Sequence, residues 1–471
     1  MRAITTTTLL LAAALGAGSS AVPATASGSA AIRAASAPSA LLAAAFVSMQ
    51  DEGAAGSDAS SDVEADDKAD AKTDKPDRHL AIVGGTVHTV SGGVLRNVRI
   101  VTRNGRIEAI GPHVPIPDGA EVIDATGHHV YPGLVAVRSV GLLGGESPQD
   151  STDVFSLQLS TALAGGITTA VSGTGAYKLV FGELDDMVVG EGLFVSLNYS
   201  TTNPSDRRRT RDLFERLRQH QRDVAEFERA KARNDPDAKE PDARWIRGRA
   251  AELQRLLKRE ATALATANRE HDLRQLLELA ETFGISIVVV GAHEGWLVAP
   301  EMARAGMRAI VTPRQRVDRD ERFNRPNGSS IENARVLHAH GVPVAIIPSS
   351  PSIGFGGLGG RDLLHLRLEA AFAVRGGLSN QAALRAITLD AARVLGVDDR
   401  VGSIEVGKDA DFVIADGDIL HYATHARWTI VNGKVMYDKQ KDTLFDHIRP
   451  DGDQDAPPPD DHWPRRLGQP W

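Results

Sequence analysis

The sequence predicts an α/β chain in which a parallel, barrel-like sheet fills the middle and antiparallel strands come from both ends. Two observations carry this expectation. Apolar, strand-like runs at 285–290, 309–311 and 342–347 alternate with helical patterns at 273–282, 299–305 and 331–340, and repeated βα units of this kind build a parallel sheet covered by helices. Near each end the texture changes to short β-rich runs split by turns such as Gly84-Gly85, Asn104-Gly105 and Asn432-Gly433. Neither set of strands makes a stable sheet alone, so the two ends are expected to pair.

Taken in order, the chain starts with Arg2, an apolar stretch from Leu9 to Leu15, and Ala24-Thr25-Ala26. These are the charged, apolar and small-residue regions of a secretory signal peptide, expected at 1–26 with cleavage after Ala26. The apolar run of about ten residues is short of the ~20 that span a bilayer, so no stable membrane span is expected. The protein is therefore read as exported, either periplasmic or secreted. Residues 27–78 are Ala/Ser-rich and then acidic through Asp62, Glu64, Asp66, Asp67, Asp70, Asp74 and Asp77. With so few large apolar groups to offset ordering entropy, they read as a disordered acidic linker.

Order is expected from Leu80, with strands at 81–83, 86–87, 98–101 and 106–110 and their counterparts within 402–414 and 428–435. The paired β regions are thus 79–131 and 398–440, enclosing a barrel at 132–397. Inside it, residues from about 205 to 260 are heavily charged, with Leu213, Phe214, Leu217, Val224 and Phe227 spaced for one apolar helical face. They read as a helical insertion. The last stretch, 441–471, contains Pro457-Pro458-Pro459 and reads as an irregular tail.

Composition narrows the function. At 471 residues and 42% hydrophobic the chain can bury a full core. A net charge of -8 argues against a nucleic-acid partner, which requires a basic face. There are no cysteines, so disulfides are excluded and any metal would be held by His, Asp or Glu.

Several segments in order and spacing carry a family resemblance over roughly 80–438. They are Ile123-Asp124-Ala125-Thr126-Gly127 followed by Tyr131-Pro132-Gly133-Leu134-Val135, then Ala164-Gly165-Gly166-Ile167-Thr168-Thr169, Ala383-Leu384-Arg385-Ala386-Ile387-Thr388, and Gly402 through Phe412. The chain resembles the amidohydrolase superfamily, most closely its imidazolonepropionase-like branch. The resemblance implies a TIM-like (β/α)8 barrel with a small β-sandwich formed from both chain ends. It also implies hydrolysis of C–N and related bonds by a metal held on a His-x-His pair, further histidines and an Asp. Such ligands leave an open position where bound water falls from a pKa of 15.7 to about 7 and becomes a nucleophile.

Carried over position by position, those ligands are missing. Arg138 and Val140 stand where the first pair is expected, after Ala136 at the preceding acidic position. The family's His-Ala-His-Arg-Ala-Asp-Asp segment aligns without gaps to Thr266-Ala267-Asn268-Arg269-Glu270-His271-Asp272, so Thr266 and Asn268 replace both histidines. The next histidine falls on Gly291 and the final Asp on Ser349. Val140 and Gly291 have no donor atom, Arg138 is a fixed cation, Thr266 and Ser349 are poor neutral ligands, and Asn268 coordinates weakly. No cofactor is therefore expected.

Three functional readings follow. The leading one is a non-catalytic or impaired pseudoenzyme that binds a small-molecule ligand or assembles as a homo-oligomer, or as a hetero-oligomer with an active relative. The second is a metal-dependent hydrolase of cyclic amides in which His271, His293 and Glu294, with Asn268, hold a displaced ion such as zinc. The third is an exported small-molecule binding protein that uses Arg138 as an anion clamp. His338 and His340 resemble a His-x-His pair but end a helix, where residues i and i+2 point about 200° apart, so they favour the helix C-terminus instead. Ser349-Ser350-Pro351-Ser352 and the glycines 354, 356, 357, 359 and 360 read as a mobile loop without the Lys-Ser/Thr ending of a phosphate loop.

Overall fold

The computed structural model describes residues 77–145, 147–184, 186–354 and 360–441. The signal segment, nearly all of the acidic linker, most of the tail and glycines 356, 357 and 359 lie outside the described residues.

The N-terminal strands are β1 (His79–Val83), β2 (Thr86–His88), β3 (Val94–Arg96), β4 (Arg99–Arg103), β5 (Arg106–Gly111), β6 (Glu121–Asp124) and β7 (His129–Pro132). Strands β1, β4, β5 and β6 form one four-stranded sheet in the order β5-β4-β1-β6. The C-terminal strands Phe412–Ala415, Ala426–Val431 and Lys434–Asp438 extend a second, six-stranded sheet that begins with β3, β2 and β7. Both ends of the chain thus build the sandwich, with Leu80, Ile82, Ile100, Phe412, Ile414 and Ile430 buried between its sheets. Alternation on Phe412–Ala415 divides that strand. Phe412 and Ile414 join the sandwich core, while Val413 and Ala415 belong to the larger barrel cluster.

The barrel starts with β8 (Leu134–Ala136), followed by α1 (Pro148–Ser151) and α2 (Leu157–Ala164), then β9 (Ile167–Ser172), which pairs parallel to β8. An antiparallel hairpin, β10 (Gly175–Lys178) and β11 (Val188–Gly190), follows β9. Five more parallel strands make one sheet: β12 (Phe194–Ser196), β13 (Thr262–Ala267), β14 (Ile287–Gly291), β15 (Arg308–Val311) and β16 (Val344–Ile346). Seven parallel strands are thus present among the described residues, in arcs of two and five. Hydrogen bonds from Leu193 N to Thr174 O (2.9 Å) and from Val140 N to Pro351 O (2.8 Å) tie the arcs together at both edges, giving a TIM-like barrel.

The helices between strands follow their apolar spacing. The charged insertion becomes α3 (Pro204–Ala232) and α4 (Arg249–Leu257). Phe214 and Leu217 anchor α3 while most of its surface stays polar. After β13 comes α5 (Glu270–Phe283), whose buried Leu273, Leu276, Leu277, Ala280 and Phe283 sit one helical turn apart on one face. Acidic Glu270 and Asp272 fill its first turn, where the helix dipole favours negative charge, and Gly284 ends it at φ +68°. Further helices are α6 (Ala299–Arg304), α7 (Asn333–Ala339), α8 (Leu366–Arg375), α9 (Asn380–Ala386) and α10 (Leu389–Leu395). His338 and His340 fall at the end of α7, as the spacing predicts.

In the sandwich, His88 Nε2 meets His129 Nδ1 at 2.9 Å, and the His88 ring stacks on Tyr131 with centroids 4.3 Å apart. His129 is therefore part of a packed ring cluster as well as lying near the surface. Burial, reinforced by the neighbouring His129 charge and opposed by Asp418, pushes His88 down from 6.5 to about 4. Between those values the unfolded chain binds a proton that the folded chain refuses, so stability must fall as pH falls through that window. The thermal midpoint is expected to drop from pH 6.5 towards pH 4, and more shallowly in His88→Gln. Equal slopes in the two proteins would contradict the assignment.

Candidate functional site

The parallel strands end on one face of the barrel, and the residues that follow them form its mouth. Arg138 and Val140 lie just beyond β8, both exposed. Thr266 is exposed near the end of β13, opposite Val290 of β14, and Ser349 is exposed just beyond β16. No ion pair holds Arg138 among the described residues.

The sharpest geometry at the mouth is the turn after β14. Gly291 has φ +98° and Ala292 φ +44°, conformations that cost L side chains strain. A Cβ built on Gly291 would stand 2.0 Å from Asn268 Oδ1. Asn268 therefore occupies the volume that a side chain at 291 would need. The same Oδ1 lies 2.6 Å from His293 Nδ1, which donates to it. The backbone fixes the pair, with Ala292 N donating to Ala267 O at 2.7 Å and Glu294 N to Asn268 O at 2.9 Å.

His293 is only 4% exposed. Burial pushes its pKa below the ordinary histidine value, with Gln315 raising and Arg269 lowering it in smaller measure, so the ring is neutral at pH 7. With Nδ1 carrying the proton, Nε2 is an acceptor. Nε2 and Asn333 Oδ1 are both buried and make no hydrogen bond of ordinary geometry among the described residues. Both residues line a cavity of about 10 Å³, close to the volume that admits one water molecule. Asn333 Nδ2 donates to Ala292 O at 2.9 Å, so its amide also braces the turn.

Glu294 is fully committed. Its carboxylate accepts from Glu270 N (2.7 Å), Gly328 N (2.7 Å) and Arg269 Nη1 (2.9 Å). Burial opposes its ionisation, but those donors outweigh it and hold the pKa below the usual carboxylate value. Glu294 thereby ties the start of α5 to the long β15–α7 loop. Glu270 adds ion pairs to Arg274 and Arg325, each at 2.9 Å. Next to this network lies a cavity of about 190 Å³ lined by Arg269, His271, Glu294, Arg322, Phe323 and Asn327. His271 is exposed, 3.5 Å from Asp272. Asp272 itself accepts from Thr201 N (2.9 Å) and Thr201 Oγ1 (2.6 Å), tying the β12–α3 loop to the first turn of α5.

Of the residues singled out from the sequence, then, Asn268, Gly291 and His293 meet in one turn. His271 and Glu294 line a different cavity from His293. Asn333, Arg269 and Arg325 are added by the structure; the sequence signal for the loop was its run of arginines at 314, 316, 319, 322 and 325. Among the described residues no three His, Asp or Glu side chains converge as a metal site. The donors at the aligned positions, an alcohol at Thr266 and Ser349 and an amide already bonded at Asn268, do not fit a divalent ion of the His/carboxylate type.

A family model described as the amidohydrolase family matches residues 128–444. Amidohydrolase tasK from Hapsidospora irregularis is 35% identical over 99 residues, 20% of this chain and 10% of that protein. An imidazolonepropionase from Syntrophobacter fumaroxidans is 58% identical over 41 residues, 9% of this chain and 10% of that protein. The matched stretches thus span a tenth of each curated relative. Among solved structures, an amidohydrolase from Thermotoga maritima superposes with a TM-score of 0.59 at 21% identity, covering 76% of this chain and all of that one. That likeness establishes the shared fold.

The Asn268–Gly291 conflict makes a measurable prediction. Gly291→Ala should cost about 1–3 kcal/mol through positive-φ strain and the clash. Asn268→Ala should cost about 1–3 kcal/mol by leaving His293 Nδ1 buried and unpaired. Because the second change removes the atom that the first collides with, urea unfolding of the double variant should show a loss at least about 0.5 kcal/mol smaller than the sum. Simple additivity would mean that the two residues do not compete for one volume.

Proposed function

The chain belongs to the amidohydrolase family, and from that membership we propose that it is a member whose barrel mouth has given up its metal centre and now serves binding or assembly. The single observation that carries the reading is the turn at Gly291. Where the resemblance calls for a histidine, the backbone has a positive φ and the space is taken by Asn268, whose oxygen is held by His293. The other aligned positions supply an exposed arginine, an exposed valine and two exposed hydroxyls. A hydrolytic metal requires anionic or imidazole donors around an open position, and this set offers neither.

The displaced-metal alternative has less to support it. Glu294 has three donors on its two oxygens, His293 has spent Nδ1 on Asn268, and His271 sits by Asp272 on the surface. Without a metal-activated water, what the barrel offers is a mouth with an exposed cation at Arg138 that has no ion pair among the described residues, suited to a small molecule carrying negative charge. Export is part of the same proposal, on the strength of the signal-like segment at 1–26. No described helix is long and apolar enough to cross a membrane.

Titration with zinc, manganese or cobalt salts should leave the thermal midpoint of the protein unchanged. A ligand that binds only the folded state stabilises it by about 2.7 kcal/mol at a hundredfold excess over Kd, so a saturable upward shift with any of these ions would sink the reading.

A further inference from the structure

Away from the mouth, an ionic cluster is buried where the barrel hairpin meets the sandwich. Lys178, the last residue of β10, has no solvent exposure. Its Nζ is hydrogen-bonded to Asp411 Oδ2 and lies 3.1 Å from Asp409 Oδ2. Asp411 is 5% exposed and its Oδ1 accepts from Asn432 N at 2.9 Å. Asp409 Oδ2 also lies 2.8 Å from Arg400 Nη2, yet it makes no hydrogen bond of ordinary geometry among the described residues. Arg106 stands 3.8 Å from the other oxygen of Asp409.

Taking two charges out of water is costly, and a buried pair recovers the cost only with good geometry. Here a second route to relief is built in. Burial drives the Asp411 carboxyl above its ordinary value against the pull of Lys178, which favours its protonated, neutral form. A carboxyl so disposed lies in hydrogen-bond contact with Nζ. Their positions are fixed, so the entropic cost of bringing them together has already been met.

We propose that Lys178 and Asp411 condense into an intramolecular isopeptide bond, with Asp409 carrying the proton. After the first proton passes from Nζ to Asp411, the Nζ lone pair adds to Cγ of Asp411. Negative charge developing on Oδ1 is met by the Asn432 N–H. Asp409 Oδ2, within reach of Nζ, accepts the second proton and returns it to the departing Oδ2 hydroxyl. The C–N bond forms, the C–O bond breaks and one water leaves. An ammonium and a carboxylate thus become an amide and water, with no oxidant or other reactant needed.

Two further features favour the step. The site is closed to bulk solvent, so once the released water has escaped, hydrolysis of the amide lacks its reactant. The bond would also join positions 233 residues apart in a chain without cysteine, fastening the hairpin at β10 to the strand that links sandwich and barrel. A closed loop of that length constrains the unfolded chain as a disulfide would.

Mass spectrometry of the full folded chain after denaturation tests the proposal. The protein should be lighter than its composition by one water, and trypsin should fail to cut after Lys178. The digest should instead contain a branched peptide joining the Lys178 and Asp411 segments. Lys178→Arg, which keeps the charge but cannot form the amide, should show its full mass. Asp409→Asn should accumulate unlinked chain. If Lys178→Arg does not fold, the wild-type digest decides alone. Wild-type protein at full mass, cleaved normally after Lys178, would show an ionic cluster only and overturn the proposal, while linkage at an undiminished rate in Asp409→Asn would remove Asp409 from it.

Discussion

One volume at the barrel mouth cannot hold two side chains. Asn268 Oδ1 stands 2.0 Å from where a Cβ on Gly291 would be, so the site admits either an amide reaching across from β13 or a side chain rising from β14. This chain has the amide. His293 then follows, because its Nδ1 bonds to that amide, and burial keeps the ring neutral. Asn333 follows in turn by bracing Ala292 O. The arrangement is a set of neutral polar groups packed at the end of β14, in which His293 Nε2 and Asn333 Oδ1 keep unused hydrogen-bonding capacity among the described residues.

Carboxylates hold the surrounding segments in place. Glu294 draws together the amides of Glu270 and Gly328 and the Arg269 guanidinium, and Asp272 pins Thr201. Carboxylates saturated in this way are fixed acceptors and poor proton carriers. The acidic residues nearest the mouth thereby hold loops in place, and the cation at Arg138 is left facing solvent.

Much of the fold was legible because it depends on local pattern. The Val/Ile runs of β14 and β15 read as buried strands because both faces of a parallel sheet are covered, and the spacing of Leu273, Leu276, Leu277 and Ala280 read as α5 because it repeats every turn. The positions Arg138, Val140, Thr266, Asn268, Gly291 and Ser349 were picked out one by one through the family resemblance. The hairpin of β10 and β11 was not, since its strands are three and four residues long and buried without clear alternation. Nor could the sequence show that Asn268 fills the space at Gly291, or that Lys178 meets Asp411 across 233 positions. Those contacts are set by tertiary register, which no local period encodes.

The most direct test of the central claim is elemental analysis of protein produced in medium containing zinc, manganese and iron, then dialysed to remove loosely held ions. The account predicts metal far below one ion per chain. Near-stoichiometric metal surviving dialysis would contradict it and show that His293 and its neighbours hold an ion after all.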